Sequence, residues 1–276
     1  MRTEASSKLR VVVRGHAGRM GREACAAIAA QADLDLVGTI GRNDDCAAVL
    51  EALRPDVCVD LSTPEALDAF EAALPRTLTA CPAYVIGTSG VSRERQERMR
   101  GLLGSEHCLW FVPNFCIGSV LLQRFAAEAA RFLADVEITE AHHERKVDAP
   151  SGTAVATALR IAAARPPGFA NQNQDESPSR GERIEGIPVH AVRLPGILAR
   201  QVVEFGADGE VLTLRHDTIS RSAFMPGLLT CVRRIGGLRG LVIGLEVLWG
   251  LEVTRSPEIT QARDDNGNQH EPADHA

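Results

Sequence analysis

The stretch LRVVVRGHAGRMGREACAAIAA, residues 9–30, decides the fold. Its β-branched apolar start predicts a buried strand, and its alanine-rich end predicts a helix. Between them lie Gly15, Gly18 and Gly21 in the spacing G-x-x-G-x-x-G. Glycines in such a strand–turn–helix unit let the backbone approach a pyrophosphate, and the free N–H groups of the helix N-terminus favour its negative charge. A turn that only reverses the chain is the alternative, but the position directly after a strand favours dinucleotide binding.

The end of the next apolar run indicates which dinucleotide is bound. Residues 34–40 read LDLVGTI and predict a second strand, which Gly41 and Arg42 follow. An NAD-selective fold usually has Asp or Glu at this point, about 20 residues after the glycines, to hold the ribose 2′-hydroxyl. A missing carboxylate beside an arginine suits a 2′-phosphate, so NADPH is the predicted cofactor. Asp44 and Asp45 lie close by, and they keep NADH as an alternative.

Alternating strand and helix patterns predict an α/β fold. Further strands are expected in DVCVDLS (56–62) and AYVIGTS (83–89), with helical segments between them. Such alternation implies a doubly wound parallel sheet. After LWFVPNF (109–115) a helical run leads to strand-like segments and a GADGE turn (206–210), which indicate a second domain of α+β type. A long loop is expected over 165–187, and a disordered tail over 254–276.

Composition excludes several classes of function. The net charge of −6 gives no basic face for nucleic acid. No apolar run approaches the roughly 20 residues that span a bilayer, and the first ten residues lack the apolar core of a secretory signal. The seven cysteines are scattered, so neither a disulfide framework nor a zinc site is predicted. We therefore expect a cytoplasmic protein with buried reduced thiols, and no nucleic-acid or membrane partner.

The candidate catalytic residues lie in TEAHHERKVDAPSGTA, residues 139–154. Ser151 is a plausible helix cap, and backbone N–H groups after it would bind a carboxylate or phosphate. Lys146 adds a positive charge, and His142 and His143 titrate near neutral pH. The pattern suits an anionic substrate that must be protonated. No metal is predicted, because adjacent histidines on a strand face opposite ways.

Six motifs give the chain a resemblance to a known family. GHAGRMG, DLSTPEA, GTSG, PNFCIG, EAHHERKVDAPSGTA and SRSAFMPG occur in the order found in dihydrodipicolinate reductase. The resemblance runs from about Val11 to Gly227. It implies a dinucleotide-binding Rossmann domain (1–116 and 222–253) and a substrate-binding and oligomerisation domain with a mixed sheet (117–221). It also implies a homotetramer built through those mixed sheets.

The resemblance further implies a reaction and a role for single residues. The reaction is the NAD(P)H-dependent reduction of 4-hydroxy-tetrahydrodipicolinate to tetrahydrodipicolinate in lysine and diaminopimelate biosynthesis. His142 would be the catalytic proton donor or acceptor, and Lys146 a second proton donor. The substrate dicarboxylate would be held by His143, Ser151, Gly152 and Thr153. The dinucleotide would be contacted by Gly15, His16, Ala17, Gly18, Arg19, Met20, Gly21, Arg42, Gly87, Thr88, Ser89, Val112, Pro113, Asn114 and Phe115.

Two other functions stay open at the level of the sequence. The family has a histidine in the substrate domain where this chain reads Ala199 and Gln201. A related NAD(P)H-dependent reductase or dehydrogenase acting on another imine or amino-acid-derived substrate is therefore the main alternative. A catalytically silent dinucleotide sensor is the third hypothesis. It predicts loss of the proton-donating residues, whereas His142 and Lys146 are both present.

Overall fold

The computed structural model describes residues 8–173, 175 and 177–250. In chain order the strands are β1 (Leu9–Arg14), β2 (Leu34–Ile40), β3 (Val57–Asp60), β4 (Ala83–Ile86), β5 (Cys108–Phe111), β6 (Asp135–His142), β7 (Glu182–Ile184), β8 (Ile187–Arg193), β9 (Ala199–Ala207), β10 (Glu210–Thr218) and β11 (Gly240–Ile243). The helices are α1 (Arg19–Ala29), α2 (Cys46–Leu53), α3 (Ala66–Thr77), α4 (Arg93–Arg100), α5 (Ile117–Ala129), α6 (Gly152–Ala164) and α7 (Met225–Arg234).

The first sheet is parallel throughout, in the order β11-β5-β4-β3-β1-β2. The strands β3, β4 and β5 are buried along their whole length. Parallel strands are buried along their length when helices cover both faces of the sheet. On one face Ile28 of α1 and Leu228 of α7 belong to the core, and on the other Leu50 and Phe70 of α2 and α3. The predicted doubly wound parallel sheet is confirmed.

The second sheet is mixed, in the order β10-β9-β6-β8-β7. Its central strand β6 pairs parallel with β8 and antiparallel with β9. The helices α5 and α6 cover one face, where Ala126 and Ala158 belong to a core with Ile138, Val203 and Phe205. The prediction of a second domain with a mixed sheet is confirmed.

Two expectations about loops have different outcomes. The hairpin predicted at GADGE is present, because β9 and β10 pair from Ala207 and Glu210 outward. The expectation of a long loop over 165–187 is wrong for the last residues of that range, because β7 and the first residue of β8 lie within it. Between them Glu185 and Gly186 both have positive φ, 48° and 78°. A two-residue turn of this kind closes a tight hairpin, but Glu-Gly lacks the Asn or Asp that usually signals one. The tail expected over 254–276 lies outside the described residues.

The chain passes twice between the two sheets, from β5 to α5 through 112–116 and from β10 to α7 through 219–224. An ion pair between Arg160 of α6 and Glu246, a residue that follows β11, adds a further link. The domain boundaries at 116/117 and 221/222 stay predictions. Within the described ranges, no helix is long and apolar enough to cross a membrane.

Candidate active site

The carboxylate of Glu140 is the centre of the candidate active site. Glu140 and His142 are two residues apart on β6, so their side chains lie on the same face of the sheet. Glu140 is fully buried, and its Oε2 lies 2.6 Å from Nδ1 of His142. His142 is the last residue of the strand and keeps part of its ring exposed. The sequence therefore places a histidine at an open strand end above a buried acid.

Arg193 is the second partner of that acid. The parallel pairing of β6 and β8 places Arg193 directly beside His142. Its guanidinium donates two hydrogen bonds to the Glu140 carboxylate, at 2.9 and 2.8 Å. It also donates to the carbonyl of Asp148 at 2.6 Å, which ties the loop after β6 to the strand. Sequence reasoning missed Arg193, because nothing in its neighbourhood signals a partner 53 residues away.

These contacts determine the ionisation of the pair. Burial raises the pKa of Glu140, but the hydrogen bonds and positive charges of His142 and Arg193 outweigh it, so this pKa lies below its ordinary value. An ionised carboxylate only accepts hydrogen bonds, so the proton between the two groups belongs to Nδ1 of His142. Nε2 of His142 is then the ring atom left for a ligand. In this tautomer Nε2 is a base, and the imidazolium that forms when Nε2 takes up a proton is the general acid.

The start of α6 forms the wall of the site. Ser151 caps the helix, since its Oγ accepts from the backbone N–H of Ala154 at 3.3 Å. The backbone N–H of Ser151 donates to Glu140 at 3.0 Å. The hydroxyl and the backbone N–H of Ser151 thus both form hydrogen bonds within the protein. Contact of Ser151 with substrate stays a prediction. The N–H groups of Gly152 and Thr153 lie in the first turn, where helix amides have no intrahelical acceptor.

Lys146 and His143 lie on the loop after β6. The ammonium group of Lys146 bonds both oxygens of Asp148, at 2.7 and 2.8 Å. Burial lowers the pKa of His143, and the positive charge of Arg19 lowers it further. Nδ1 of His143 is buried and has no hydrogen-bond partner among the described residues. Because Arg19 begins α1, His143 lies near the predicted nucleotide turn.

The nucleotide turn fits a bound dinucleotide. Gly15 has φ +80°, and a Cβ there would lie 2.8 Å from the backbone of Leu61. A Cβ on Gly21 would lie 2.7 Å from the Cα of His16. Gly18 is the N-cap of α1, whose first turn carries no acidic residue and no side-chain cap. The first amides of α1 are therefore left for an anion, as a pyrophosphate requires.

The predicted cofactor residues of the segments 87–89 and 112–115 follow β4 and β5, beside the turn. Thr88 donates through Oγ1 to the carbonyl of Ser62 at 3.2 Å, which ties the loops after β3 and β4 together. A Cβ on Gly87 would lie 2.6 Å from the ring of Phe115. Asn114 accepts the backbone N–H of Cys116 at 2.8 Å. The segments 87–89 and 112–115 are thus packed against each other, while their contact with a dinucleotide stays a prediction.

Two further polar residues lie behind the site. Arg14, at the end of β1, forms a buried ion pair with Asp60 at the end of β3, which fixes two strand ends beside the turn.

Gln201 of β9 pairs with Glu140 across the sheet and donates to Oγ1 of Thr157 in α6 at 2.7 Å. Gln201 is buried, so its amide supports the first turns of α6. Ala199, the other position at which this chain departs from the family pattern, pairs with His142 at the end of β6.

Comparison with known proteins gives the same family for both domains. Residues 9–115 match the model of the dihydrodipicolinate reductase N-terminus, and residues 118–248 match that of its C-terminus. The 4-hydroxy-tetrahydrodipicolinate reductase of Streptomyces coelicolor is 43% identical over 248 residues, covering 87% of this chain and 97% of that protein. This chain belongs to the dihydrodipicolinate reductase family. The predicted resemblance is confirmed.

Other members of the dihydrodipicolinate reductase family agree in sequence and fold. The 4-hydroxy-tetrahydrodipicolinate reductase of Cutibacterium acnes is 43% identical over 253 residues, covering 88% of this chain and 100% of that protein. A dipicolinate-bound dihydrodipicolinate reductase from Paenisporosarcina sp. TG-14 superposes with a TM-score of 0.71 at 34% identity, covering 87% of this chain and 99% of that one. The family thus spans both sheets of the present chain.

Proposed function

We propose that this chain is the 4-hydroxy-tetrahydrodipicolinate reductase of a lysine and diaminopimelate pathway, that it prefers NADPH, and that His142 and Lys146 supply protons. Membership of the family makes it an NAD(P)H-dependent oxidoreductase. The observation that carries the residue roles is the chain of contacts from Arg193 through Glu140 to His142, beside the open first turn of α6. It joins a positioned acid–base group to a place where an anion can bind.

The residues of this chain perform the part of the reaction that the cofactor does not. A bound nicotinamide would supply a hydride to the conjugated imine that forms when the 4-hydroxyl of the substrate leaves as water. Electron density then rises on the substrate, and a proton held at Nε2 of His142 or Nζ of Lys146 neutralises it. The carboxylate of Glu140 stabilises the charged ring of His142 and fixes its orientation. General acid catalysis of this kind contributes about 10²-fold to 10⁴-fold.

Binding of the dicarboxylate falls to the groups around α6. The backbone N–H groups of Gly152 and Thr153 would donate hydrogen bonds to one carboxylate at the positive end of the helix dipole. His143, whose pKa is lowered, would donate as a neutral ring. Such fixed donors orient the substrate ring, and holding reactants in place lowers the barrier without any new bond.

The preference for NADPH rests on the surroundings of Gly41. The carboxylate of Asp44 accepts the backbone N–H of Gly41 at 2.7 Å, and that of Asp45 caps α2 through Ala47 and Ala48. Both acids that could hold a 2′-hydroxyl therefore have acceptor roles in the protein. The side chain of Arg42 is exposed and forms no ion pair within the part of the chain that the structure describes. Its guanidinium is available to a 2′-phosphate.

The first experiment follows nicotinamide absorbance with purified protein, NADPH or NADH, and substrate made freshly by the preceding aldol condensation. We expect oxidation that depends on substrate and a lower KM for NADPH. Arg42→Ala should raise the KM for NADPH about 10-fold, the loss of one charged hydrogen-bond pair, and change that for NADH less than about 2-fold. Arg100→Ala, at the far end of α4, is the matched control for loss of one charge. Equal effects of Arg42→Ala on the KM for NADPH and for NADH would contradict the 2′-phosphate site. If the wild-type protein oxidised neither cofactor, the proposed substrate would be wrong.

Assembly and location complete the proposal. We infer a homotetramer formed through the face of the second sheet that lies away from α5 and α6. On β10 that face carries Val211, which is 69% exposed, whereas Leu214 points to the helices. All seven cysteines are free, as suits the reducing cytoplasm. Light scattering after size exclusion should give four chains, and Val211→Lys should give smaller species; an unchanged mass for that variant would exclude this face.

A further inference from the structure

A cysteine and a histidine meet where the chain passes between the two domains. Cys116 is the N-cap residue of α5, and His216 lies two residues before the end of β10. The Sγ of Cys116 lies 3.5 Å from Nε2 of His216. Cys116 ends the first segment that connects the sheets, and His216 lies in the strand from which the second one starts. Neither takes part in the reduction described above.

The packing around the pair fixes this geometry. The backbone N–H of Cys116 donates to the side chain of Asn114, which holds the cysteine at the helix start. The ring of His216 lies against Gly118, where a Cβ would be 2.7 Å from Cδ2 of the imidazole. Only glycine at position 118 leaves room for the ring. Cys116 itself is buried, with 3% of its surface exposed, so the site suits only a small reagent.

The charges around the pair favour a thiolate facing an imidazolium. Burial raises the pKa of Cys116, but the hydrogen bond from His216 and its positive charge reduce it below the ordinary value. The hydrogen bond to Cys116 raises the pKa of His216. Asp217, the next residue of β10, alternates to the other face and is paired with Arg200 and Arg215. The dipole of the 13-residue helix α5 adds positive potential at the sulfur.

The other six thiols provide an internal contrast. Burial raises the pKa of each of them, and they are Cys25, Cys46, Cys58, Cys81, Cys108 and Cys231. Cys25 is partly exposed, whereas the others are buried. A thiolate is the reactive form of cysteine, and it forms beside a cation at a helix N-terminus. Cys46 also begins a helix, α2, and lies near Arg14. Among the seven thiols, only that of Cys116 has a basic side chain of the described residues within hydrogen-bond distance of its sulfur.

We propose that Cys116 and His216 form a modification site in which the thiolate of Cys116 is oxidised by hydrogen peroxide. The sulfur attacks one peroxide oxygen, so an S–O bond forms as the O–O bond breaks. The sulfur loses two electrons and the peroxide gains them. The leaving hydroxide takes the ring proton of His216 and departs as water, which leaves a sulfenic acid and a neutral imidazole. This inference is independent of the reductase activity.

The test measures oxidation at each cysteine of the full-length protein. Protein at pH 7 is exposed to hydrogen peroxide for a series of times, quenched with catalase, and unfolded in urea containing dimedone and then iodoacetamide. Peptide mass spectrometry gives the oxidised fraction of every thiol. We expect Cys116 to be oxidised at least about 10-fold faster than Cys25, because an ordinary thiol is only a few per cent ionised at this pH. In His216→Asn, the rate at Cys116 should fall to within about 2-fold of that at Cys25.

The pH dependence of the wild-type protein tests the pair without any substitution. Between pH 6.5 and 8.5 the oxidation rate of Cys116 should rise less steeply with pH than that of Cys25, which should rise about 10-fold per unit over most of this range. A rate at Cys116 that rises with pH as steeply as at Cys25 would overturn the proposal. So would oxidation of Cys25 as fast as Cys116 at pH 7, or an unchanged rate at Cys116 in a folded His216→Asn protein.

Discussion

The nucleotide turn, residues 15–21, and the substrate cradle, residues 140–153, use the chain in opposite ways. In the turn, glycines permit close backbone packing, and the ligand groups on offer are amides of α1. In the cradle, a buried carboxylate holds a histidine, an arginine from another strand and a helix start by side-chain contacts. The geometry of the turn depends on the absence of side chains at its glycines. The geometry of the cradle depends on each hydrogen-bond partner of the Glu140 carboxylate.

The largest expected effect follows from removing that charged group. Glu140→Ala leaves the guanidinium of Arg193 without its carboxylate, and breaking a buried pair costs about 3–5 kcal/mol. Urea unfolding should show this loss. Glu137→Ala is the matched control, because Glu137 is on the same strand and also contacts an arginine and a histidine, Arg180 and His190. It is partly exposed, so its loss should cost about 1 kcal/mol or less.

The pH dependence of this difference has a definite sign. The pKa of Glu140 is lowered on folding, so its stabilisation is complete above the pKa of the unfolded carboxyl, about 4.3, and is lost as the pH falls through the lower folded value. The gap between wild type and Glu140→Ala should therefore narrow on acidification. Equal losses for the Glu140 and Glu137 variants at pH 7 would show that Glu140 does not organise the cradle.

The next effect concerns turnover. His142→Gln and Lys146→Ala should each lower kcat by about 10² or more, the range for loss of a general acid, and leave nucleotide affinity nearly unchanged. His190→Gln is the matched control, since His190 also contacts a glutamate of β6, at 2.8 Å, but lies outside the cradle. Steady-state kinetics in which NADPH and the dicarboxylate substrate are varied in turn separates a loss of kcat from a loss of nucleotide affinity. A decrease of less than about 3-fold for both variants would remove the assigned roles.

The contrast between the regions explains what the sequence could reveal. The glycine spacing and the run after Ser151 are local, so strand, turn, helix start and the residues His142 and Lys146 could be predicted from one short stretch each. Arg193 could not, because its contact with Glu140 depends on the parallel pairing of β6 with β8. That pairing is set by where α6 and the hairpin at Glu185 return the chain. The hairpin itself has no strong turn signal.

The turn should respond to a single added methyl group. In Gly21→Ala the new Cβ would lie 2.7 Å from the Cα of His16, and its close neighbours are backbone atoms, which cannot rotate away. Overpacking of this kind costs about 1–3 kcal/mol. The turn must shift to relieve it, so the Kd for NADPH should rise about 10-fold, measured by fluorescence titration, if the shift costs about 1.4 kcal/mol of binding. A variant as stable as wild type, with the same Kd, would contradict the close packing of this turn.

The smallest effect is expected for the same substitution at the start of the other helix. A Cβ on Gly152 would meet no atom within 4 Å. Gly152 also has no positive φ, so Ala can adopt its conformation and reduces the entropy of the unfolded chain. Gly152→Ala should therefore leave the free energy of unfolding within about 0.5 kcal/mol of wild type, or raise it slightly. A loss above about 1 kcal/mol in urea unfolding would mean that the start of α6 is as crowded as the nucleotide turn, and the two regions would then differ only in their side chains.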